Sequence, residues 1–384
     1  MMNEKGGLAL RIAMTSSLGI LAMSSMQYVR ADETVKIGVA APLTGFAAYT
    51  GKDMENGARL AVEQINKDGL QIGGNKIQIQ LISEDDAGDP RQATQVAQKL
   101  VDDKVVAVVG DLGSGTAIPA SKIYSDAGIV QIAPTATNPA FTLQGFKTTY
   151  RLVATDAKQG PYLAAYASNA LKIRSVAIVD DSTAYGQGLA EQFEKGAKAK
   201  GIKVLSHDAT NDKATDFRAI LTKIKGENPD AIMYGGLDST GGPFVKQAAQ
   251  LGLNMTVLAG DGVCTTDIAK LAGPGTGNIV CTIAGEPLMK MPKGPAFEEQ
   301  YKKRFGFDPV LGSPFAYDAV YVIVDAMKRA QSTAREKILA SMPSTDYQGV
   351  LGGIKFDSRG DLLNSVISFY KYPSGKQTWV ATVK

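Results

Sequence analysis

The sequence predicts an α/β protein: two doubly wound parallel-sheet lobes joined by a multi-strand hinge. Three observations lead there. At 384 residues the chain is longer than one hydrophobic core comfortably fills. Short apolar runs alternate with helical stripes from residue 35 onward. The alternation then restarts after Thr155, as a second sheet requires. Hydrophobic residues at 44%, charged residues at 21% and 41 glycines exclude a coiled coil, a disordered tail and a multi-span membrane protein.

The N-terminus comes first. Lys5 and Arg11 are basic, residues 12–26 carry no charge, and Val29, Arg30 and Ala31 give a small-x-small pattern before Asp32. That combination predicts a secretory signal peptide over residues 1–31. The alternative, a membrane anchor, asks for a longer uncharged run. Absence of a Cys near the cut argues against lipid attachment there. The formal charge is only +3, and loss of the leader brings it closer to neutral. There is no electrostatic case for nucleic acid.

The next elements follow in order. Residues 35–41 are a short apolar strand. Residues 51–67 are a helix, with Met54, Ala58, Ala61 and Ile65 on one stripe and Gly69 ending it. Residues 77–81 form a strand. Asp89 and Pro90 are an N-cap and a first-turn proline, opening a helix to about 102. The continuous apolar run 105–109 reads as a strand buried on both faces. A helix over 114–127 and a strand over 130–132 complete the first run. The second has strands at 175–179, 204–207, 231–234 and 257–259, with helices at about 158–171, 186–200, 215–226 and 241–251. Beyond about 285 the pattern loosens into helices at 297–305, 315–331 and 334–342. Strands at 353–356 and 366–372 then flank a turn at 357–360. This tail has too few strands for a third domain, so it completes the first two, and the chain must cross between lobes more than once.

In doubly wound sheets ligands bind at the carboxyl ends of strands. Four loops there are unusual. Residues 110–116 hold Gly110, Gly113, Ser114, Gly115 and Thr116 directly after an apolar strand, so small residues and a helix N-terminus offer an anion seat. A plain N-cap loop is the alternative. The segment is neither a Walker A loop nor a GxGxxG fingerprint. Residues 134–139 bring Thr135 and Thr137, whose hydroxyls suit the same anion; an ordinary turn is the alternative. Residues 180–188 bring Tyr185, a flat apolar body with one hydroxyl, and the Asp180–Asp181 pair reads as helix capping rather than metal binding. Residues 260–263 place Asp261 between two glycines, a carboxylate suited to an ammonium or a simple turn residue. One lobe thus offers an anion seat and the other a carboxylate and an aromatic, which describes a zwitterion site. The chain has one histidine, His207, and two cysteines. A multi-histidine or four-cysteine zinc site is excluded. Ser114 has no evident His partner, so the chemistry is binding, with no catalytic residues, metal or cofactor expected. Cys264 and Cys281, both beyond the cut in an oxidising compartment, are expected to form a disulfide; two buried thiols are the alternative.

These residues carry a resemblance. The segments 37–45, 57–66, 84–90, 110–121, 132–138, 181–189, 234–236 and 260–262 resemble, in order and spacing, the periplasmic branched-chain amino-acid binding proteins. Those are the leucine/isoleucine/valine-binding group of type I periplasmic binding proteins. The resemblance spans essentially the whole chain after the leader and implies a Venus-flytrap fold. It implies that the ligand carboxylate meets Ser114, Thr135 and Thr137, that Asp261 meets the ammonium, and that Tyr185 contacts it from the second lobe. A first-lobe aromatic contact falls at Tyr49 or Thr50. Two positions depart from the family pattern: the ammonium acid is Asp rather than Glu, and an aromatic after the Tyr234–Gly236 segment is Leu237. A disulfide that some members have would fall at Gly88 and Gly113, so it is absent here.

The resemblance further implies a monomeric periplasmic receptor that hands an amino acid to an inner-membrane ABC permease and its ATPase. Residues 32–155 with 286–362 are expected to form one lobe, and 156–285 with 363–384 the other. Three other readings stand beside it: a binder of aromatic or other small organic acids, a sensory module serving a membrane receptor, and a secreted hydrolase.

Overall fold

The computed structural model of the protein describes residues 33–384; the expected leader over 1–31 lies outside the described residues. The first run comprises β1 (Glu33–Ala41), α1 (Ala48–Asp68), β2 (Leu70–Ile72), β3 (Asn75–Asp85), α2 (Pro90–Asp102), β4 (Ala107–Gly110), α3 (Ser114–Asp126), β5 (Val130–Ala133), α4 (Ala140–Leu143) and β6 (Thr149–Arg151). Its strands form one sheet in the order β2-β3-β1-β4-β5-β6. From β3 to β6 every pairing is parallel. Each residue of β4 and β5 is buried, which explains their unbroken apolar sequence: helices cover both faces. Asp89 caps α2, accepting from the N–H groups of Arg91 and Gln92 at 2.8 and 3.0 Å.

The second run comprises α5 (Asp156–Asn169), β7 (Ser175–Asp180), α6 (Ala184–Ala199), β8 (Lys203–Ala209), α7 (Arg218–Glu227), β9 (Ala231–Gly235), α8 (Asp238–Gln250), β10 (Thr256–Ala259), α9 (Ile268–Ala272) and β11 (Ile279–Ile283). After it come α10 (Gly294–Phe305), α11 (Ser313–Ala330), α12 (Arg335–Ser341), β12 (Tyr347–Gln348), β13 (Gly353–Ile354), β14 (Ile367–Lys371) and β15 (Thr378–Val383). The second sheet has the order β15-β14-β11-β10-β9-β7-β8. Helices α10 to α12 return to the first sheet, where α11 packs on α1 and α12 on β5. Cys264, after β10, is disulfide-bonded to Cys281 on β11, with the Cα atoms 5.5 Å apart. Among the described residues no helix is long and apolar enough to cross a membrane.

Two features differ from the sequence expectation. The sheets are not wholly parallel. Gly73 and Gly74, with φ of 56° and 82°, reverse the chain between β2 and β3, which pair antiparallel. Strands β14 and β15 extend the second sheet antiparallel. Nor do 353–356 and 366–372 pair with each other: β13 pairs with β12, a lone bridge joins Phe356 to Leu362, and β14 lies beside β11. The turn between them is held elsewhere. Gly360, at φ 94°, accepts the Arg151 N–H at 3.0 Å, and Asp361 Oδ1 accepts from Arg151 Nε at 2.6 Å.

Arg151 is fully buried. Besides Asp361 it donates to the carbonyls of Ala136 and Asn138 and to the Thr142 hydroxyl. A charge this deep is tolerated only with its donors satisfied. The pair ties the β6-to-α5 crossing to the β13-to-β14 crossing, two of the three passages between the sheets. The third runs from β11 to α10.

Candidate functional site

A cavity of about 570 Å³ opens where the carboxyl ends of the two sheets face each other, the place where βα loops converge in doubly wound folds. From the first sheet come Tyr49 and Thr50 at the start of α1, the 112–116 loop and Thr135. Loops of the second sheet contribute Asp181, Tyr185, Asp212, Leu237, Asp238 and Asp261. Seven of the eight residues singled out from the sequence therefore line one cavity. Both members of the Tyr49/Thr50 ambiguity belong to it, because the first turn of α1 runs along its wall.

Thr137 lies outside that lining. It is buried, and its hydroxyl donates to Asp156 Oδ2 at 3.1 Å. Ser114 opens α3 behind Gly113, which has no side chain to cap the first turn. The leading N–H groups of that turn are therefore left to the cavity, with the positive end of the helix dipole behind them. Ser114 Oγ accepts from the Asn138 N–H at 3.1 Å, which leaves its own proton to donate. Thr135 Oγ1 donates to the Leu112 carbonyl at 2.6 Å, drawing the two loops of this wall together.

The opposite wall is acidic. Asp261 Oδ1 accepts from Gln159 Nε2 at 2.6 Å and from the Tyr185 hydroxyl at 3.3 Å. Tyr185 in turn accepts from the Gly262 N–H at 2.9 Å. Burial raises the Asp261 carboxyl, while the bonds from Gln159 and Tyr185 oppose the rise. Burial also holds the Tyr185 phenol well above its ordinary range, with the Asp261 charge adding to it. Glycines on either side of Asp261 are required by packing: a Cβ on Gly260 would lie 2.3 Å from Leu189, and one on Gly262 would lie 2.7 Å from the Gly236 carbonyl. Asp238 Oδ2 accepts from Thr265 Oγ1 at 2.7 Å and, across the cleft, from the Tyr49 hydroxyl at 3.0 Å. Burial and the Asp238 charge push the Tyr49 phenol up to about 12. Among the described residues, no lysine, arginine or histidine lines the cavity.

His207 is engaged elsewhere. On β8, its Nε2 faces Asp180 Oδ2 at 3.0 Å and its Nδ1 faces Glu194 Oε2 at 2.8 Å. Neither contact involves Ser114.

Three residues of the site escaped the sequence reading. Asp238 directly follows Leu237 at a helix start and was open to the same strand-end argument. Gln159 and Asp156 lie behind Asp261. Their spacing of three on α5 puts them on one helix face, but nothing local shows what that face meets.

Comparisons with known proteins place the chain. The family model for periplasmic binding proteins matches residues 34–377. The leucine-, isoleucine-, valine-, threonine- and alanine-binding protein of Pseudomonas aeruginosa is 33% identical, over 90% of this chain and 91% of that one. Among solved structures, the leucine-binding protein LivK of Thermotoga maritima superposes with a TM-score of 0.84 at 27% identity, covering 91% of this chain and 99% of that one. LivJ of Streptococcus pneumoniae, a branched-chain amino-acid transporter substrate-binding protein in complex with isoleucine, gives 0.82 at 28% identity, covering 92% and 100%.

Proposed function

We propose, from the premise that the chain belongs to the periplasmic binding protein family, that it is the substrate-binding receptor of an ABC importer. Its ligand is an α-amino acid with an apolar side chain, of the branched-chain kind. One observation carries this reading: among the described residues the cavity has an uncharged wall rich in hydroxyls and helix N–H groups, a facing wall of carboxylates, and no cationic side chain. A zwitterion satisfies both walls. The α-carboxylate meets the Ser114 hydroxyl and the first turn of α3, beside the loop that Thr135 ties to Leu112; the ammonium meets Asp261, beside Tyr185. Tyr49, Thr50 and Leu237 border the side chain, together with Leu112 and Leu311. Thr137 acts at one remove, through Asp156. The names of the relatives support the same class: one specifies leucine, isoleucine, valine, threonine and alanine, the other branched-chain amino acids.

An organic acid without an amino group is the second reading. It would leave Asp261, Asp238 and Asp181 facing an anion with no compensating charge, a costly arrangement once water is excluded.

The lobes are assigned as 32–155 with 286–362 and 156–285 with 363–384. Sheet membership supports that division: β1 to β6 lie in one sheet, and β7 to β11 with β14 and β15 in the other. Closure is a population shift, favoured because the ligand touches both walls only when they approach. The receptor works as a monomer in the periplasm and delivers its ligand to an inner-membrane permease with its ATPase. Export uses the leader, so mature protein should begin at Asp32 on N-terminal sequencing.

A thermal-shift screen of the mature protein tests the function. At ligand 100-fold above Kd, linkage adds about 2.7 kcal/mol of stability. Leucine, isoleucine or valine should raise Tm and benzoate should not. If benzoate raises it and no amino acid does, the second reading replaces the first.

A further inference from the structure

Behind Asp261 lies a second acid that does not line the cavity. Asp156, the first residue of α5, is fully buried, and so is Gln159 one turn later. Gln159 Nε2 donates to both carboxylates, at 2.6 Å to Asp261 Oδ1 and 3.1 Å to Asp156 Oδ1. The other Asp156 oxygen accepts from Thr137 Oγ1 at 3.1 Å. A hydrogen-bonded chain therefore runs from Asp261 at the cavity, through Gln159 and Asp156, to the loop after β5. It links the two walls behind the ligand.

One amide serves two acids, and the remaining atom of that amide, Gln159 Oε1, is buried without a partner. Two carboxylates sharing one donor, one of them fully buried, do not both ionise freely. The groups facing Asp156 come from several elements. Asp261 arrives from the loop after β10, Tyr185 from α6 and Arg151 from β6. Arg151 is already engaged by Asp361, so it only partly offsets the burial.

We propose that Asp156 is a positioning residue that carries a proton in the unliganded receptor and releases it when the ligand ammonium seats on Asp261. The inference rests on the amino-acid reading above. Before binding, the pair carries one negative charge, an Asp261 carboxylate beside an Asp156 carboxyl whose Oδ2–H is donated to Thr137 Oγ1 across the same 3.1 Å contact, the hydroxyl reversing its role when the proton leaves. The ammonium cancels the repulsion that retained the proton. The Asp156 O–H bond then breaks, its electron pair stays on the carboxylate, and the proton passes to buffer. Thr137 and Gln159 donate to the new carboxylate, and the nearby Arg151 charge favours it.

The direction of the pH dependence follows. Burial, with the Asp261 charge adding, pushes the unliganded Asp156 carboxyl up to about 8. Binding lowers it. Affinity therefore rises with pH below about 8 and levels off above. At pH 7 the larger part of a proton is therefore available for release.

Calorimetry of the mature wild type with leucine at pH 7, in phosphate and in Tris, reads the proton directly. The enthalpies should differ by the amount that release of between half and one proton implies. Affinity should rise roughly 10- to 100-fold between pH 6 and 8. In Asp156→Asn both effects should vanish. Infrared difference spectra of the wild type should show a protonated-carboxyl band lost on adding leucine, a readout that needs no variant. Equal enthalpies in the two buffers, or proton release that persists in Asp156→Asn, overturns the inference while leaving the receptor reading intact. Failure of the wild type to bind any amino acid overturns both.

Discussion

The two walls of the cleft arise from the same structural device, a loop between a buried parallel strand and a helix, yet they carry opposite electrostatics. On the first, the loops after β4 and β5 present Gly113, Ser114, Thr116 and Thr135, with no charged side chain among the lining residues. Its polarity comes from hydroxyls and from the N-terminus of α3. On the second, the loops after β7 to β10 present Asp181, Asp212, Asp238 and Asp261. The difference shows what the fold supplies and what it does not. Topology delivers both sets of loops to one place, whereas the sign of each wall is set by a few side chains at strand ends. A backbone-based seat is also harder to abolish than a carboxylate, because no single substitution removes the N–H groups of a helix.

That asymmetry can be tested directly. Asp261→Asn keeps the shape of the second wall and removes its central charge. It should cost roughly 2–5 kcal/mol in leucine affinity by calorimetry. Unchanged affinity would mean the ammonium lies elsewhere, and a ligand without an amino group should be indifferent to the change.

Reduction of Cys264–Cys281 should come next. This bond closes a loop immediately after Asp261, and its loss should lower stability by about 3 kcal/mol, read as a lower Tm in reductant. Two titratable thiols in denatured, unreduced protein would show that the cysteines are not bonded. On the first wall, Ser114→Ala should cost about 1.5–3 kcal/mol of binding, and its effect should be shared by any ligand that carries a carboxylate. A loss as large as that for Asp261→Asn would blur the contrast between the walls.

The smallest effect should come from the contact between them. Tyr49→Phe removes the bond to Asp238 Oδ2, which retains Thr265 as a donor, so a loss of about 1 kcal/mol or less is expected. Stopped-flow fluorescence should show it chiefly in the dissociation rate. A tenfold slower association would instead assign Tyr49 to the encounter step.

Legibility in the sequence followed distance along the chain. Ser114, Tyr185 and Asp261 were accessible because each closely follows an apolar strand, where the strand-end rule applies to a few adjacent residues. The Cys264–Cys281 bond was accessible for a similar reason, with a sequence separation of 17. Gln159 was not, because its partner Asp261 lies 102 residues away. Thr137 shows the limit of a loop-level argument. It sits two residues from Thr135, but its hydroxyl meets Asp156 rather than the cavity. Pattern places a loop at a strand end; side-chain direction within it depends on what packs behind.

By itself, then, the sequence determined the two βα runs, since 3.6-residue stripes and buried apolar strands are local signals that any compact fold must honour. It also determined the chemistry of the strand-end loops. Tertiary structure alone decided where the tail goes. Strand β14 joins the second sheet because Arg151, buried and needing a counter-charge, holds Asp361 in the crossing, while Ile367 and Phe369 bury against the second sheet and α5. It alone also decided that Asp156, Gln159 and Asp261 meet. Interactions of that kind join residues far apart in the chain and close only when both sheets are in place, so no local period or motif encodes them.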